Sequence, residues 1–334
     1  MSRSLQLLAI LLAVPLGIAA TGCRPPTAAA PPAPKVYRIG YLASGSPPRS
    51  PFQDSFVQAL GELGYTEGEN LDMQFRYAEG QDDRLPSLAE ELAALPADVI
   101  VGASTPGVLA AKQATHAIPI VMAAVADPVG SGLVASLARP GGNVTGPTLQ
   151  ATDLAGKRLE LLREIVPSAD RVAMLWNPSN PAKLRDLEET QGAAEMLGVE
   201  LLSLEARTAD EVRAAVADRL IDTGAKGLIV AGDPLTVGLR AEIAEIAARS
   251  KLPAVYETPD FVEAGGLLAY GPNRFDVYRR AAVYVDKILK GASPDSLPVE
   301  HPTRFELVVS APAADALGLT VPQPILASAD RIIR

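Results

Sequence analysis

From Val36 onward the chain alternates short apolar runs with longer amphipathic segments, and this alternation constrains its fold more than any other feature. The runs VIVG (99–102) and IPIVMAAV (118–125) are continuously apolar, which is typical of parallel strands covered by helices on both faces. The segments between such runs place apolar residues three or four positions apart, which predicts helices. A repeated strand–helix succession predicts an α/β fold with doubly wound parallel sheets.

The pattern falls into two units, as a chain of 334 residues permits. The second unit begins near Pro147 and repeats the same strand–helix order. A strand at 265–270 and a helix at 275–289 fit neither unit cleanly, and we expect them to return to the first. We therefore predict two Rossmann-like lobes joined by a hinge that the chain crosses several times. The predicted lobe 1 comprises residues 36–146 and 259–300, and lobe 2 comprises residues 147–258 and 301–334.

The first segment is typical of an export signal. Arg3 precedes an apolar run at 5–20 that is short for a membrane span, which predicts a signal peptide over residues 1–22. Small residues before Cys23 resemble the lipobox of bacterial lipoproteins, so we expect lipidation of Cys23. An ordinary secretory signal, with Cys23 incidental, is the alternative. Residues 23–35 are rich in Pro and Ala, which favours an extended tether between a membrane anchor and the lobes.

Charge and composition exclude several classes of protein. Lys and Arg number 30 against 39 Asp and Glu, for a net charge of −9, which disfavours nucleic-acid binding. One Cys and two His exclude a disulfide framework and argue against a zinc site, so we expect no metal. His116 and His301 lie in no catalytic motif, and we expect no enzymatic activity.

One string keeps an enzymatic alternative open. Residues 130–135 (GSGLVA) satisfy the G-x-G-x-x-A pattern of dinucleotide folds. That pattern requires a strand directly before the first Gly, whereas four residues separate Val125 from Gly130. We therefore expect no cofactor, with an exported α/β enzyme that uses a dinucleotide as the alternative.

Small polar loops follow several predicted strands in both units. Because ligands of open α/β sheets bind at the carboxyl ends of strands, these loops predict a ligand site between two lobes. Each residue also has a plainer interpretation as a helix cap or turn former. The predicted ligand-binding residues are Ser44, Ser46, Ser104, Thr105, Asp127, Asn177, Asn180, Asp233 and Glu257.

Several longer strings carry a family resemblance that extends from about Arg38 to Ile333. They include ADVIVGASTPGVLAAKQAT (97–115), ARPGGNVTG (138–146), WNPSNP (176–181) and GGLLAYGPN (265–273). With these strings the chain resembles the substrate-binding proteins of ABC importers, in the family often described as tryptophan/tyrosine-type. It departs from the common pattern at Ser310-Ala311 and in the closing ASADRII.

The resemblance implies a type I periplasmic-binding fold whose two lobes close over a small polar solute, amino-acid-like and possibly aromatic. It implies delivery of that solute to an ABC permease with its ATPase, without a reaction on the solute. We expect a monomer held at the periplasmic or cell surface by a lipid on Cys23, with no nucleic-acid partner. A sensory module that uses the same closing lobes is a further alternative.

Overall fold

A computed structural model describes residues 35–334, apart from the side chains of Asp153, Asp218, Arg219 and Ile221. The predicted signal peptide, Cys23 and nearly all of the predicted tether lie outside the described residues. Within residues 35–334, no helix is both long enough and apolar enough to cross a bilayer.

Twelve strands form two sheets within the described part of the chain. The first sheet contains β1 (Tyr37–Ala43), β2 (Leu71–Tyr77), β3 (Val99–Gly102), β4 (Ile120–Met122) and β5 (Val144–Thr145). The second contains β6 (Arg171–Trp176), β7 (Glu200–Glu205), β8 (Leu228–Val230), β9 (Ala254–Tyr256), β10 (Leu268–Pro272), β11 (Phe305–Ser310) and β12 (Arg331–Ile333).

Helices connect the strands and cover both faces of each sheet. They are α1 (Pro51–Glu62), α2 (Leu85–Ala94), α3 (Thr105–Ala114), α4 (Ala155–Ile165), α5 (Pro181–Leu197), α6 (Ala209–Ala214), α7 (Leu220–Asp222), α8 (Pro234–Gly238), α9 (Arg240–Arg249), α10 (Pro259–Glu263), α11 (Arg274–Leu289), α12 (Ala311–Leu317) and α13 (Gln323–Ser328). Single 3₁₀ turns lie at 82–84, 152–154 and 294–296, and a π-helical turn at 215–219 links α6 to α7.

The two sheets share one topology, which confirms the predicted pair of Rossmann-like lobes. The order β2-β1-β3-β4-β5 in the first sheet matches β7-β6-β8-β9-β10 in the second, and all of these neighbours run parallel. The second sheet then continues with β11, which pairs antiparallel with β10, and with β12. In both lobes the strand order reverses between the first and third strands, where α/β folds open a ligand crevice.

Apolar residues on both faces of each sheet build the cores, as the continuous apolar strands predicted. In the first sheet, Ile39 and Tyr41 face α1 and α11, while the alternate residue Leu42 faces α2 and α3. The second sheet has one core on its α4 and α5 side and another toward α9 and α10. Each lobe is therefore a three-layer sandwich with its own core.

The chain passes between the lobes three times. The first crossing is 146–151, the second is Asn273 between β10 and α11, and the third is 298–304 before β11. Backbone hydrogen bonds join the crossings: Thr148 N donates to Glu300 O at 2.9 Å, and Asn273 N donates to Arg304 O at 2.9 Å. These three crossings form the hinge.

Two glycines at the crossings have no room for a side chain. Gly146 has φ of +131°, and a Cβ there would lie 2.7 Å from Met122 O. A Cβ on Gly271 would lie 2.0 Å from Glu257 O. Backbone atoms cannot yield as a flexible side chain does, so both positions require glycine. Gly146 ends the ARPGGNVTG string of the sequence resemblance, and Gly271 lies in its GGLLAYGPN string.

One expected lobe boundary is wrong. Residues 259–272 were expected in lobe 1, but β10 pairs with β9 and β11 in the second sheet, and Phe261 of α10 stacks on Tyr256 at 4.6 Å. The helix α11 does lie in lobe 1, where Tyr278 and Tyr284 enter the core beside α1. The sequence pattern identified the strand, but its neighbours in the sheet decide which lobe contains it.

Candidate functional site

The predicted ligand residues lie in loops at the carboxyl ends of strands from both lobes. Lobe 1 contributes the loops after β1, β3 and β4, and lobe 2 contributes those after β6, β8 and β9. Seven of the nine predicted residues are nearly inaccessible to solvent, since each is at most 3% exposed: Ser44, Ser104, Thr105, Asn177, Asn180, Asp233 and Glu257. Buried polar side chains require hydrogen-bond partners, and those partners define the two halves of the site.

The lobe 1 half is built on hydroxyl groups. Ser44, after β1, and Ser104, after β3, lie with their Oγ atoms 2.8 Å apart. Ser104 also caps α3, because its Oγ accepts from Gly107 N at 3.1 Å. Thr105 is the first residue of α3. Hydroxyls beside a helix N-terminus suit a carboxylate, because both the groups and the helix dipole favour negative charge.

Within residues 35–334, Ser46 and Asp127 form no hydrogen bond or ion pair with the other predicted ligand residues. Ser46 is exposed and lies four residues before Ser50, the N-cap of α1. Asp127 is half-buried, and its Oδ1 accepts from Gly130 N at 2.8 Å, as a turn former does. The loop that Asp127 stabilises contains the 130–135 string, which opens no helix. The string therefore lacks the strand–turn–helix context that a dinucleotide site requires.

The lobe 2 half is built around a buried carboxylate. Asp233, after β8, accepts from Asn177 Nδ2 at 3.0 Å and from Asn180 Nδ2 at 2.8 Å. Asn180 caps α5 through its own Oδ1, while Asp233 caps α8 and accepts from Leu235 N. The plainer interpretation as caps thus holds for these residues, and the same bonds fix the two loops against each other.

Asp82 is a site residue that sequence reasoning missed. Its loop follows β2 and is fixed beside the β1 loop, where Gly80 N donates to Ser44 O at 2.7 Å. Burial and the neighbouring Asp233 carboxylate raise the pKa of Asp82 to about 6, while the Ser44 hydroxyl lowers it. The buried Oδ1 of Asp82 has no hydrogen-bond partner within the described part of the chain. Carboxylates from opposite lobes therefore lie close enough to repel each other.

Glu257, after β9, belongs to a buried ion network. Its Oε2 accepts from Lys183 Nζ at 3.0 Å and from Gly232 N at 2.8 Å, and lies 4.0 Å from Arg158 Nη1. Lys183 also donates to Asp186 Oδ2 at 2.7 Å. All four charged residues are at most 2% exposed. This network supports the lobe 2 half of the site, because Gly232, whose N donates to Glu257, directly precedes Asp233.

Charge pairing and burial have opposite effects on these carboxyls. Burial opposes ionisation of Glu257, but the Lys183 and Arg158 charges outweigh it and lower the pKa of Glu257 below its ordinary range. Burial raises the pKa of Asp186 despite the charge of Lys183. The pKa of Lys183 is raised, because the two carboxylates outweigh the effect of burial. Glu257 is thus the carboxylate on which both cations converge.

The missed residues differ in how visible they are in the sequence. Asp82 follows a strand in the same way as the predicted loops, so the rule that found those loops would have included it. Arg158 and Lys183 lie on buried helix faces, where a charge contradicts the apolar pattern until its partners are known. No cluster of three metal-ligating residues lies among residues 35–334.

Two lobes, a three-crossing hinge and a polar site at the strand ends define a hinged solute-binding protein. Residues 46–333 match the family described as "ABC transporter substrate binding protein", and the chain belongs to that family. Its members are the solute-binding components of ABC transporters, exported proteins that bind a small molecule and act with an ABC permease.

Two proteins similar to this chain bind aromatic amino acids. A tyrosine-binding protein of Clostridioides difficile (strain R20291) is 29% identical over 266 residues, which are 79% of this chain and 75% of the relative. A solved ABC domain from Streptococcus pneumonia in complex with L-Trp is 26% identical, with a TM-score of 0.81 over 90% of this chain and all of that one.

A ligand-free, open structure of a substrate-binding protein from Clostridium difficile fits less well. It is 28% identical and covers 90% of this chain and 99% of its own, yet its TM-score is 0.63. Sequence identity does not explain the difference, because the open structure is slightly more identical than the L-Trp complex.

Proposed function

We propose that the protein captures an amino acid with an aromatic side chain between its lobes and delivers it unchanged to the permease. The observation that carries the ligand class is the buried Asp82 Oδ1, which has no hydrogen-bond partner among residues 35–334. The Asp233 carboxylate of the opposite lobe opposes ionisation of Asp82, and neither carboxylate forms an ion pair with a Lys or Arg in the described part of the chain. An ammonium group on the ligand supplies the missing positive charge. The relatives that bind tyrosine and tryptophan support the aromatic side chain.

The carboxylate of the amino acid has a separate place in this proposal. Ser44, Ser104 and Thr105 lie at the N-terminus of α3, on the same side of the cleft as Asp82. One end of the ligand would then contact hydroxyls and helix amides, and the other would contact the two carboxylates. A ligand that contacts both lobes stabilises their closed arrangement by its higher affinity for that arrangement.

The lipid anchor is part of the same proposal. Cys23 receives the lipid and becomes the N-terminus once residues 1–22 are removed, and residues 23–35 hold the monomeric binding protein at the outer surface of a membrane. Incorporation of radiolabelled palmitate into the expressed chain tests this step. Label that is absent from the Cys23→Ala chain supports the anchor, and equal label in both chains contradicts it.

Thermal unfolding of the full chain with a panel of solutes tests the ligand class. The panel contains the amino acids, small organic acids, sugars, nucleosides and NAD. A ligand at 100 times its dissociation constant adds about 2.7 kcal/mol of stability. We expect aromatic amino acids to stabilise the chain. Stabilisation by a sugar or an organic acid alone would contradict the ammonium site. Stabilisation by NAD alone would favour the alternative of an exported enzyme that uses a dinucleotide.

A single substitution tests the role of Asp233. Asp233→Asn retains the shape and the ability to cap α8 but removes the negative charge. Because a hydrogen bond to a charged group contributes about 1.5–3 kcal/mol, we expect amino-acid affinity to fall roughly 10- to 100-fold. Asp170→Asn, which removes an exposed ion pair with Lys226, is the matched control. Equal affinities for the two variants would remove Asp233 from the site.

A further inference from the structure

Arg158 makes contacts that reach beyond the ion network of the site. This buried side chain lies on α4, and its Nε donates to Tyr270 O at 2.9 Å. Its Nη2 donates to Ala151 O at 3.1 Å. Tyr270 lies in β10, just before the second crossing, and Ala151 ends the first crossing. One guanidinium group therefore joins the end of the first crossing to the strand that leads into the second.

The remaining nitrogen of the same group faces the ligand site. Arg158 Nη1 lies 4.0 Å from Glu257 Oε2, which also accepts from Gly232 N. Gly232 directly precedes Asp233, whose carboxylate holds the two site asparagines. A series of contacts thus runs from the end of the first crossing and from β10, through Arg158 and Glu257, to the loop proposed to bind the ammonium group.

The planar guanidinium is the feature that a lysine cannot reproduce. Arg presents five N–H donors in a rigid fork, whereas the ammonium group of Lys is a compact point charge. In a network held by charge alone, either residue would balance Glu257. The two carbonyl contacts at fixed angles require the fork, since they lie on different segments of the chain.

We propose that Arg158 is a positioning residue that sets the hinge against the lobe 2 half of the site. Its loss leaves the Asp233 loop and the two crossings free to shift relative to each other. The affinity part of this inference rests on the proposed amino-acid ligand, whereas the hinge part does not.

Hydrogen exchange of the ligand-free full chain, measured by mass spectrometry, tests the hinge part. We expect amides of 146–151 and 268–273 to exchange at least 10-fold faster in Arg158→Lys than in the unaltered chain. Arg163→Lys is the matched control, because it makes the same change on the same helix at an arginine that donates to Pro167 O and contacts neither the site nor a crossing. Uniformly faster exchange in both variants, or unchanged exchange in Arg158→Lys, would overturn the proposal.

Calorimetric titration with L-tryptophan and L-tyrosine tests the affinity part. We expect Arg158→Lys to bind at least 10-fold more weakly than the unaltered chain, and the control Arg163→Lys to bind within 3-fold of it. Full affinity in Arg158→Lys would show that charge alone suffices and would contradict positioning. If the unaltered chain binds neither amino acid, the proposed ligand class fails, and hydrogen exchange still decides the role of Arg158. Arg158→Gln replaces Arg158→Lys in both measurements if the lysine variant does not fold.

Discussion

The two halves of the site are built from different chemistry. The lobe 1 half consists of hydroxyls, a helix N-terminus and the partly unpartnered carboxylate of Asp82. The lobe 2 half consists of amides and carboxylates whose bonds lie within the protein, above a buried ion network. Lobe 2 therefore provides a rigid, pre-organised surface, and lobe 1 provides polar groups that a ligand can still engage.

This difference separates two costs of binding. A side chain that is already held by its neighbours loses little conformational freedom when a ligand arrives. The lobe 2 loops are held in this way by Asp233 and Glu257. Substitutions in lobe 2 should therefore act first on stability, and substitutions in lobe 1 should act first on affinity.

The largest effect is expected from Lys183→Met in lobe 2. The change leaves the carboxylates of Glu257 and Asp186 buried without their shared cation, so we expect a loss of about 3–5 kcal/mol in the free energy of unfolding. Urea denaturation measures it. Lys157→Met, which removes an exposed pair with Glu160, is the control and should cost at most about 1 kcal/mol. Similar losses in the two variants would show that the network is not pre-organised.

A smaller effect is expected from Ser104→Ala in lobe 1. The variant loses the cap of α3 and the Ser44 contact, which together cost about 1–2 kcal/mol of stability, and it should bind an amino acid at least several-fold more weakly. Thr208→Ala removes the comparable cap of α6 through Glu211 N and serves as the control. If both variants retain full affinity in calorimetry, the hydroxyls of lobe 1 do not contact the ligand.

The pH dependence of folding stability should reveal the raised pKa of Asp82. Because the pKa of Asp82 is raised from 3.8 to about 6, the folded chain binds this proton more tightly than the unfolded chain does. The protonated Asp82 carboxyl therefore contributes to the free energy of unfolding below about pH 4, and this contribution is lost as the pH rises from 4 through 6. In Asp82→Asn this decrease in stability with pH should be absent. The charges facing Asp82 are Asp233 and Asp83, while the adjacent Arg84 pairs with Glu79.

Ligand binding should follow the opposite course. An ammonium ligand binds the ionised Asp82, so affinity should rise with pH through 6 in the unaltered chain and stay flat in Asp82→Asn. Urea denaturation and calorimetry at pH 4.5, 6 and 7.5 measure the two trends. An identical pH profile for both chains would exclude Asp82 as the titrating group.

The smallest effect is expected from Ser46→Ala. Ser46 is exposed, so we expect a change in stability within about 0.5 kcal/mol. If calorimetry shows an affinity change of more than about 3-fold, Ser46 contacts the ligand after all.

The fold was largely predictable because its local signals are strong. The apolar run at 99–102 is β3 and the helix expected at 275–289 is α11, while α5 begins with the Asn-Pro pair at 180–181 that favours a helix start. The assignment of β10 was wrong because pairing between distant strands has no local signal. The partners of Arg158 and Lys183 were invisible for the same reason, since Glu257 lies 74 positions from Lys183.

Because the chain crosses between the lobes three times, part of lobe 1 is synthesised only after most of lobe 2. The first sheet is complete at Thr145, yet one of its faces is covered only by α1 until α11, including Tyr278 and Tyr284, has been synthesised. Most of lobe 2 lies between these two points. During export the apolar face of lobe 1 must therefore wait for its last helix, and a nascent chain that stalls within lobe 2 presents that face to any aggregating partner.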